Sequence, residues 1–157
     1  MSSKKDHPGV YFPPPMFYGM TFVLSIFVQK KIALDSAFFH TPFAKASGVV
    51  LLISAAFFLF SSLAQFLRSR NTIVTIKPAN SLQIAGIYRI TRNPMYLGLA
   101  IVYLGLAFLI GNWWHLILFP VLVLVVQEYV IKREERYLAR AFGQQYLDYK
   151  SSVRRWL

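Results

Sequence analysis

The sequence predicts an all-α integral membrane protein of about four transmembrane helices followed by a C-terminal cytoplasmic amphipathic helix. Three observations predict it. The 157 residues are 56% hydrophobic and 17% aromatic with six acidic side chains, and the mean hydropathy is +0.47, too apolar for an ordinary soluble domain. Long apolar runs recur at about the 20 residues needed to cross a bilayer. The 17 lysines and arginines that give a net charge of +11 fall at the edges of those runs, where headgroups lie, rather than along one face of a soluble fold. A membrane is therefore the expected partner and nucleic acid is not. The absence of cysteine excludes disulfides, thiolate metal sites and cysteine nucleophiles.

The elements follow in chain order within a single domain spanning residues 1–157. Lys4 and Lys5 precede an apolar stretch as in a signal peptide, but Pro8, Pro13, Pro14 and Pro15 interrupt the region where a signal would carry its apolar core. This segment reads as a retained, irregular lead-in. The first span lies near residues 12–30 and ends at Gln29-Lys30-Lys31, reaching full length if it starts among Tyr11 and Phe12 or if the lysines snorkel. A second, near 46–67, and a third, near 95–113, carry no charge. The fourth, near 113–131, is apolar apart from His115 at one end and Gln127-Glu128 at the other.

Basic residues concentrate in the loop 68–94 and the tail 132–157, which predicts that both, and both termini, are cytoplasmic. The polar segments richest in chemistry then share one face of the membrane. In the loop, Asn93-Pro94 reads as the N-cap and first residue of the third span, with Gly86 and the stretch around Pro78 and Asn80 as turns. A helix start of this kind exposes N–H groups that attract an anion. The same residues, with Arg89 and Arg92, also read as a cap and a headgroup anchor. In the tail, Glu134, Glu135, Leu138, Phe142, Tyr146 and Tyr149 recur at helical spacing, with Gly143 as a stop or kink. Glu134 and Glu135 are either salt-bridge partners of the surrounding cations or, with Glu128, the groups that would handle a cation or a proton. Glu128 is expected to pair with Lys132 one turn on. Gly98 and Gly105 are expected to permit close helix packing. His7, His40 and His115 are far apart, with no ligand spacing for a metal. Tyr88, Tyr96 and Tyr103 fit an interface belt, a core or a stacking face equally well.

The strings GIYRITRNPMYLG and EERYLARAFGQQYLDYKSSVRRWL, joined by a helical hairpin, resemble the isoprenylcysteine carboxyl methyltransferase and phospholipid methyltransferase superfamily of integral membrane enzymes. The likeness is specific over residues 84–157, and HPGVYFPPPMFYG is similar to small bacterial members. It implies a bacterial inner-membrane enzyme that binds S-adenosylmethionine at the cytoplasmic face and methylates a lipophilic acceptor entering between helices, an acceptor that is a carboxylate, an amine or a thiol. The superfamily's Arg-His-Pro-x-Tyr motif falls on Arg92-Asn93-Pro94-Met95-Tyr96, with asparagine in place of histidine. Its Glu-Glu pair falls on Glu134-Glu135 and its Tyr-x-x-Tyr on Tyr146 and Tyr149. The resemblance implies a cofactor site of Tyr88, Arg92, Asn93, Pro94, Tyr96, Glu134, Glu135 and Tyr146, with Arg92 and Glu134 closest to the chemistry and no metal. Carboxyl methyltransferases place an arginine one turn before the first glutamate; here that position is Val130. Two other readings stand beside this one: a phospholipid N-methyltransferase acting on an amine headgroup, and a non-catalytic four-span interaction protein.

The charge distribution makes a direct prediction. A Lys77→Cys variant should react with a membrane-impermeant thiol reagent only after cells are permeabilised, and labelling of intact cells would overturn the orientation.

Overall fold

The computed structural model describes residues 8–68 and 81–157. The turn expected at Pro78 and Asn80, with Arg70, Lys77, His7 and the Lys4-Lys5 pair, lies outside the described residues. Among the described residues the chain is helical and has no strand. The helices are α1 (Pro14–Lys31), α2 (Pro42–Arg68), α3 (Pro94–Ile110), α4 (Trp113–Val125), α5 (Lys132–Phe142) and α6 (Gln144–Ser152). A π-helical turn, Val126–Ile131, joins α4 to α5. Two helices are long and apolar enough to cross a membrane: α2, and the continuous run Trp113–Phe142 formed by α4, the π-turn and α5. Helix α3 is apolar but shorter. Lys30 and Lys31 lie in the last turn of α1, where cations favour the negative end of the helix dipole.

Helices α1, α2 and α3 each begin at proline, a residue whose fixed φ suits a first turn and whose missing N–H is not needed there. The turn into α4 requires glycine. Gly111 closes α3 with φ 82°, and a Cβ there would lie 2.9 Å from Phe39 Cβ. Asn112 then caps α4, its side-chain oxygen accepting the Trp114 N–H at 2.9 Å, while its Nδ2 donates to the Ser25 carbonyl at 3.0 Å. Trp113 Nε1 and Trp114 Nε1 donate to the carbonyls of Asp35 and Ile32, both at 2.8 Å. These contacts fasten the α3–α4 turn to α1 and to the connection between α1 and α2.

The residues α2 buries are Ala44, Gly48, Ala55 and Ser62, whereas Phe43, Ile53, Phe57, Phe60 and Leu67 are exposed. Small side chains inside and large apolar ones outside reverse the soluble pattern and suit a bundle whose exterior meets lipid. The small residues allow α2 and α3 to lie close. A Cβ on Gly98 would come 2.8 Å from Leu59, and one on Gly105 would come 2.8 Å from Leu52 and 3.1 Å from the Gly48 carbonyl. Helix α1 packs chiefly on α4. Tyr18, Tyr96, Tyr103, Leu122, Val126, Val130 and Ile131 fill the space between them and α3.

Tight backbone approach at Gly105 predicts that Gly105→Val overpacks the α2–α3 contact and costs about 1–3 kcal/mol. Gly19, where no atom lies within 4 Å of an added Cβ, should accept alanine without loss. Thermal melting of the two variants in detergent measures the contrast.

Candidate functional site

At one end of the bundle the start of α3, the π-turn, α5, α6 and the last residues of the chain converge. The segment before α3 contains a short 3-10 helix, Gly86–Arg89, entered through Gly86 at φ 61°. It turns Ile87 and Tyr88 inward and leaves Arg89 exposed. Asn93 occupies the N-cap position of α3 and Pro94 the first helical position, as the sequence predicts. Asn93 does not cap the helix through its side chain. Its Nδ2 instead donates to the Arg155 carbonyl at 3.0 Å, because the C-terminal segment lies alongside. Thr91 Oγ1 donates to the same carbonyl at 3.0 Å, and the Arg92 N–H donates to the Arg154 carbonyl at 3.0 Å.

The tail is two helices rather than one continuous helix. Gly143, with φ 52°, separates α5 from α6, and the reversal brings Tyr146 and Tyr149 against Ile87, Tyr88, Phe66 and Leu138. Tyr149 Oη donates to the Tyr88 carbonyl at 2.6 Å. On α5, Glu134 and Glu135 point to different surroundings. Tyr96 Oη donates to Glu134 Oε1 at 2.6 Å, and no cation pairs with Glu134 among the described residues. Glu135 receives Arg155 on both oxygens at 2.8 Å, with Arg92 Nη2 at 3.3 Å and Lys150 Nζ at 3.9 Å.

These environments push two adjacent carboxyls apart in acidity. Burial raises Glu134 from its ordinary 4.5 to about 7; the Tyr96 hydroxyl opposes that shift and the charge of Glu135 adds to it. Burial would also raise Glu135, but the Arg155 hydrogen bonds, with the fields of Arg92, Arg155 and Lys150, outweigh it and hold Glu135 below its ordinary range. Arg92 is the counterpart of Glu134. Its side chain is 9% exposed, and its Nε and Nη1 are buried with no hydrogen-bond partner among the described residues. A buried donor without an acceptor costs about 1–3 kcal/mol, so two on one guanidinium are a costly arrangement.

The structure thus brings Arg92, Asn93, Pro94, Tyr88, Tyr96, Glu134, Glu135 and Tyr146 to one end of the bundle, with Tyr96 directly bonded to Glu134 and Arg92 beside Glu135. The pairing of Glu128 with Lys132 is present at 2.7 Å on the exposed face. Arg155, Thr91 and Trp156, whose Nε1 donates to Gln127 Oε1 at 3.1 Å, are not signalled by the sequence pattern. A buried glutamate requires a cation, but with 17 lysines and arginines in the chain spacing alone does not single out Arg155. Arg133 is taken up differently: it donates to the Gly9 carbonyl at 3.0 Å and lies 4.3 Å over the Tyr129 ring, which ties the N-terminal lead-in to the same end.

The family described as phospholipid methyltransferase matches residues 43–145, more than half of the chain and inclusive of Arg92, Tyr96, Glu134 and Glu135. An uncharacterized protein of Haemophilus influenzae is 42% identical over 66 residues, covering 40% of this chain and 100% of that protein. No solved structure matches.

The raised Glu134 carboxyl binds a proton on folding. Its contribution to stability is therefore fully present below about pH 4.5 and is lost as pH rises through about 7. Glu134→Gln, neutral throughout, should lack that component. Denaturant titrations in detergent from pH 5 to 8 should show wild type losing stability relative to the variant by up to ~1.4 kcal/mol per pH unit; parallel profiles would exclude the buried proton.

Proposed function

The chain belongs to the phospholipid methyltransferase family, and from that premise we propose that it is an integral membrane methyltransferase using S-adenosylmethionine on a lipophilic acceptor at the cytoplasmic face. The observation that carries this reading is a guanidinium and a carboxyl at the same end of the bundle, the first with unpartnered donors and the second without a cation among the described residues. Arg92 offers two buried donors without acceptors among the described residues, and the half-buried Glu134 offers a carboxyl that accepts a hydrogen bond from a neutral tyrosine. A ligand bearing a carboxylate and a cation would satisfy both, and the amino-acid portion of S-adenosylmethionine is such a group. The start of α3, left uncapped by Asn93, adds N–H groups and the positive end of a helix dipole. Tyr88, Tyr96 and Tyr146 supply aromatic walls.

S-adenosylmethionine supplies an electrophilic methyl group on a sulfonium. The task left to the protein is positioning, exclusion of water and disposal of a proton. Arg92 orients the carboxylate in a two-pronged contact. Glu134, half-ionised near neutral pH, holds the ammonium or accepts the proton that an amine or thiol acceptor releases. An amine or thiol acceptor fits better than a carboxylate, because the position where carboxyl methyltransferases carry an arginine is Val130, fully buried and apolar. Among these acceptors the family favours an amine headgroup, making phospholipid N-methylation the leading specific reading.

We place the single domain, residues 1–157, in a bacterial inner membrane with four spans and both termini cytoplasmic. The four helical segments starting at Pro14, Pro42, Pro94 and Trp113 support this count. An even number of crossings returns the tail to the side on which the basic loop before α3 lies. The apolar part of the last segment ends at Ile131, so α5 and α6 rest at the membrane surface.

Calorimetric titration of the purified protein with S-adenosylmethionine tests the reading, and absence of binding would favour a non-catalytic interaction protein. Arg92→Lys keeps the charge but not the planar fork. It should weaken binding roughly tenfold or more, the ~1.5–3 kcal/mol of a hydrogen bond to a charged group, whereas Arg89→Lys should change it little. Glu134→Gln should abolish methyl transfer, because the neutral amide neither holds a cation nor accepts a proton. Methylated phosphatidylethanolamine in membranes that express the wild type, and its absence with Glu134→Gln, would establish the amine acceptor.

A further inference from the structure

Glu135 lies within reach of three cations, and they do not share it equally. Arg155 takes both oxygens in a two-pronged pair, Nε to Oε1 and Nη2 to Oε2, each at 2.8 Å. Arg92 makes one longer contact with Glu135, Nη2 to Oε1 at 3.3 Å, and also meets the Tyr146 hydroxyl, while its Nε and Nη1 stay buried and unpartnered among the described residues. A guanidinium and a carboxylate left to themselves close into a fork-to-fork pair. Arg155 already fills that geometry on Glu135, so Arg92 cannot.

We propose that Arg155 is a positioning residue that saturates Glu135 and thereby keeps the Arg92 guanidinium free for the carboxylate of the bound ligand. The same residue acts through its backbone. Its carbonyl accepts from Thr91 Oγ1 and Asn93 Nδ2, on either side of Arg92, and the carbonyl of the preceding Arg154 accepts the Arg92 N–H. Side chain and main chain of the C-terminal segment therefore converge on one residue. Neutralising Glu135 from one side while holding residues 91–93 from another aims two donors of Arg92 away from the protein's own carboxylate. The inference rests on the reading, made above, that Arg92 receives the ligand's carboxylate.

Arg155→Gln leaves Glu135 to Arg92 and Lys150, and Arg92 is then drawn into the two-pronged pair. Calorimetry with two probes separates this from a loosened tail: S-adenosylmethionine, and decarboxylated S-adenosylmethionine, which lacks only the carboxylate. The variant should lose about tenfold or more in affinity for the first and less than twofold for the second, with its melting temperature confirming that it is folded. In the double variant Glu135→Gln/Arg155→Gln nothing competes for Arg92, and affinity for S-adenosylmethionine should rise back toward wild type, a non-additive cycle. Equal losses for the two probes in Arg155→Gln, or a double variant no better than the single one, would overturn the proposal while leaving the cofactor reading in place. A wild type that binds neither probe would overturn both.

Discussion

Glu135 is a carboxylate set where water is scarce, and the whole site end of the molecule is arranged around keeping it charged. Desolvating such a group costs several kcal/mol unless cations and hydrogen bonds replace the lost water. Arg155, Arg92 and Lys150 do so from the C-terminal segment, the start of α3 and α6. Because each cation comes from a different part of the chain, satisfying one carboxylate fixes four segments relative to each other. The backbone bonds from residues 91–93 to Arg154 and Arg155 complete the joint. Removing one partner of such a cluster leaves a buried charge uncompensated, which is why its members act as a unit.

Glu134 is one residue away and meets the opposite environment. Its neighbour has consumed the local cations, and a tyrosine hydroxyl does not offset burial, so its acidity moves to about 7. The orientation of both residues depends on the π-helical turn just before them. Wider i to i+5 bonding over Val126–Ile131 changes the rotation of everything that follows relative to α4, and such turns recur at functional sites. A regular α-helix through the same residues would present a different face of α5 to Tyr96 and Arg92.

The α2–α3 contact plays the complementary structural part. Small residues at Gly48, Gly98 and Gly105 let the two backbones approach, giving α3 a firm seat against α2. Helix α3 therefore starts at a defined height, with Tyr96 on its first turn and Arg92 just before it. Tyr18 reaches from α1 to the Tyr96 carbonyl at 3.2 Å, and Arg133 holds the N-terminal lead-in. The site is thus braced by all the helices that surround it.

Apolar run length, the proline that starts α3 and Gly143 between α5 and α6 were legible from the sequence, because each is a local signal with a local physical cause; Arg92, Tyr96, Glu134 and Glu135 were singled out by the resemblance to a family and not by their spacing. Helix-starting prolines act on their own backbone, glycine on its own φ, and hydrophobicity on its own segment. The sequence by itself therefore determined a helical, membrane-suited chain with its polar chemistry at the ends of its apolar runs. Which cation serves Glu135, that Asn93 spends its side chain on Arg155 rather than on its helix, and that Glu134 has no charge partner among the described residues were decided only by the tertiary structure. Those are choices among many chemically equivalent side chains, and only the folded chain brings particular ones within bonding distance across more than sixty residues of intervening sequence.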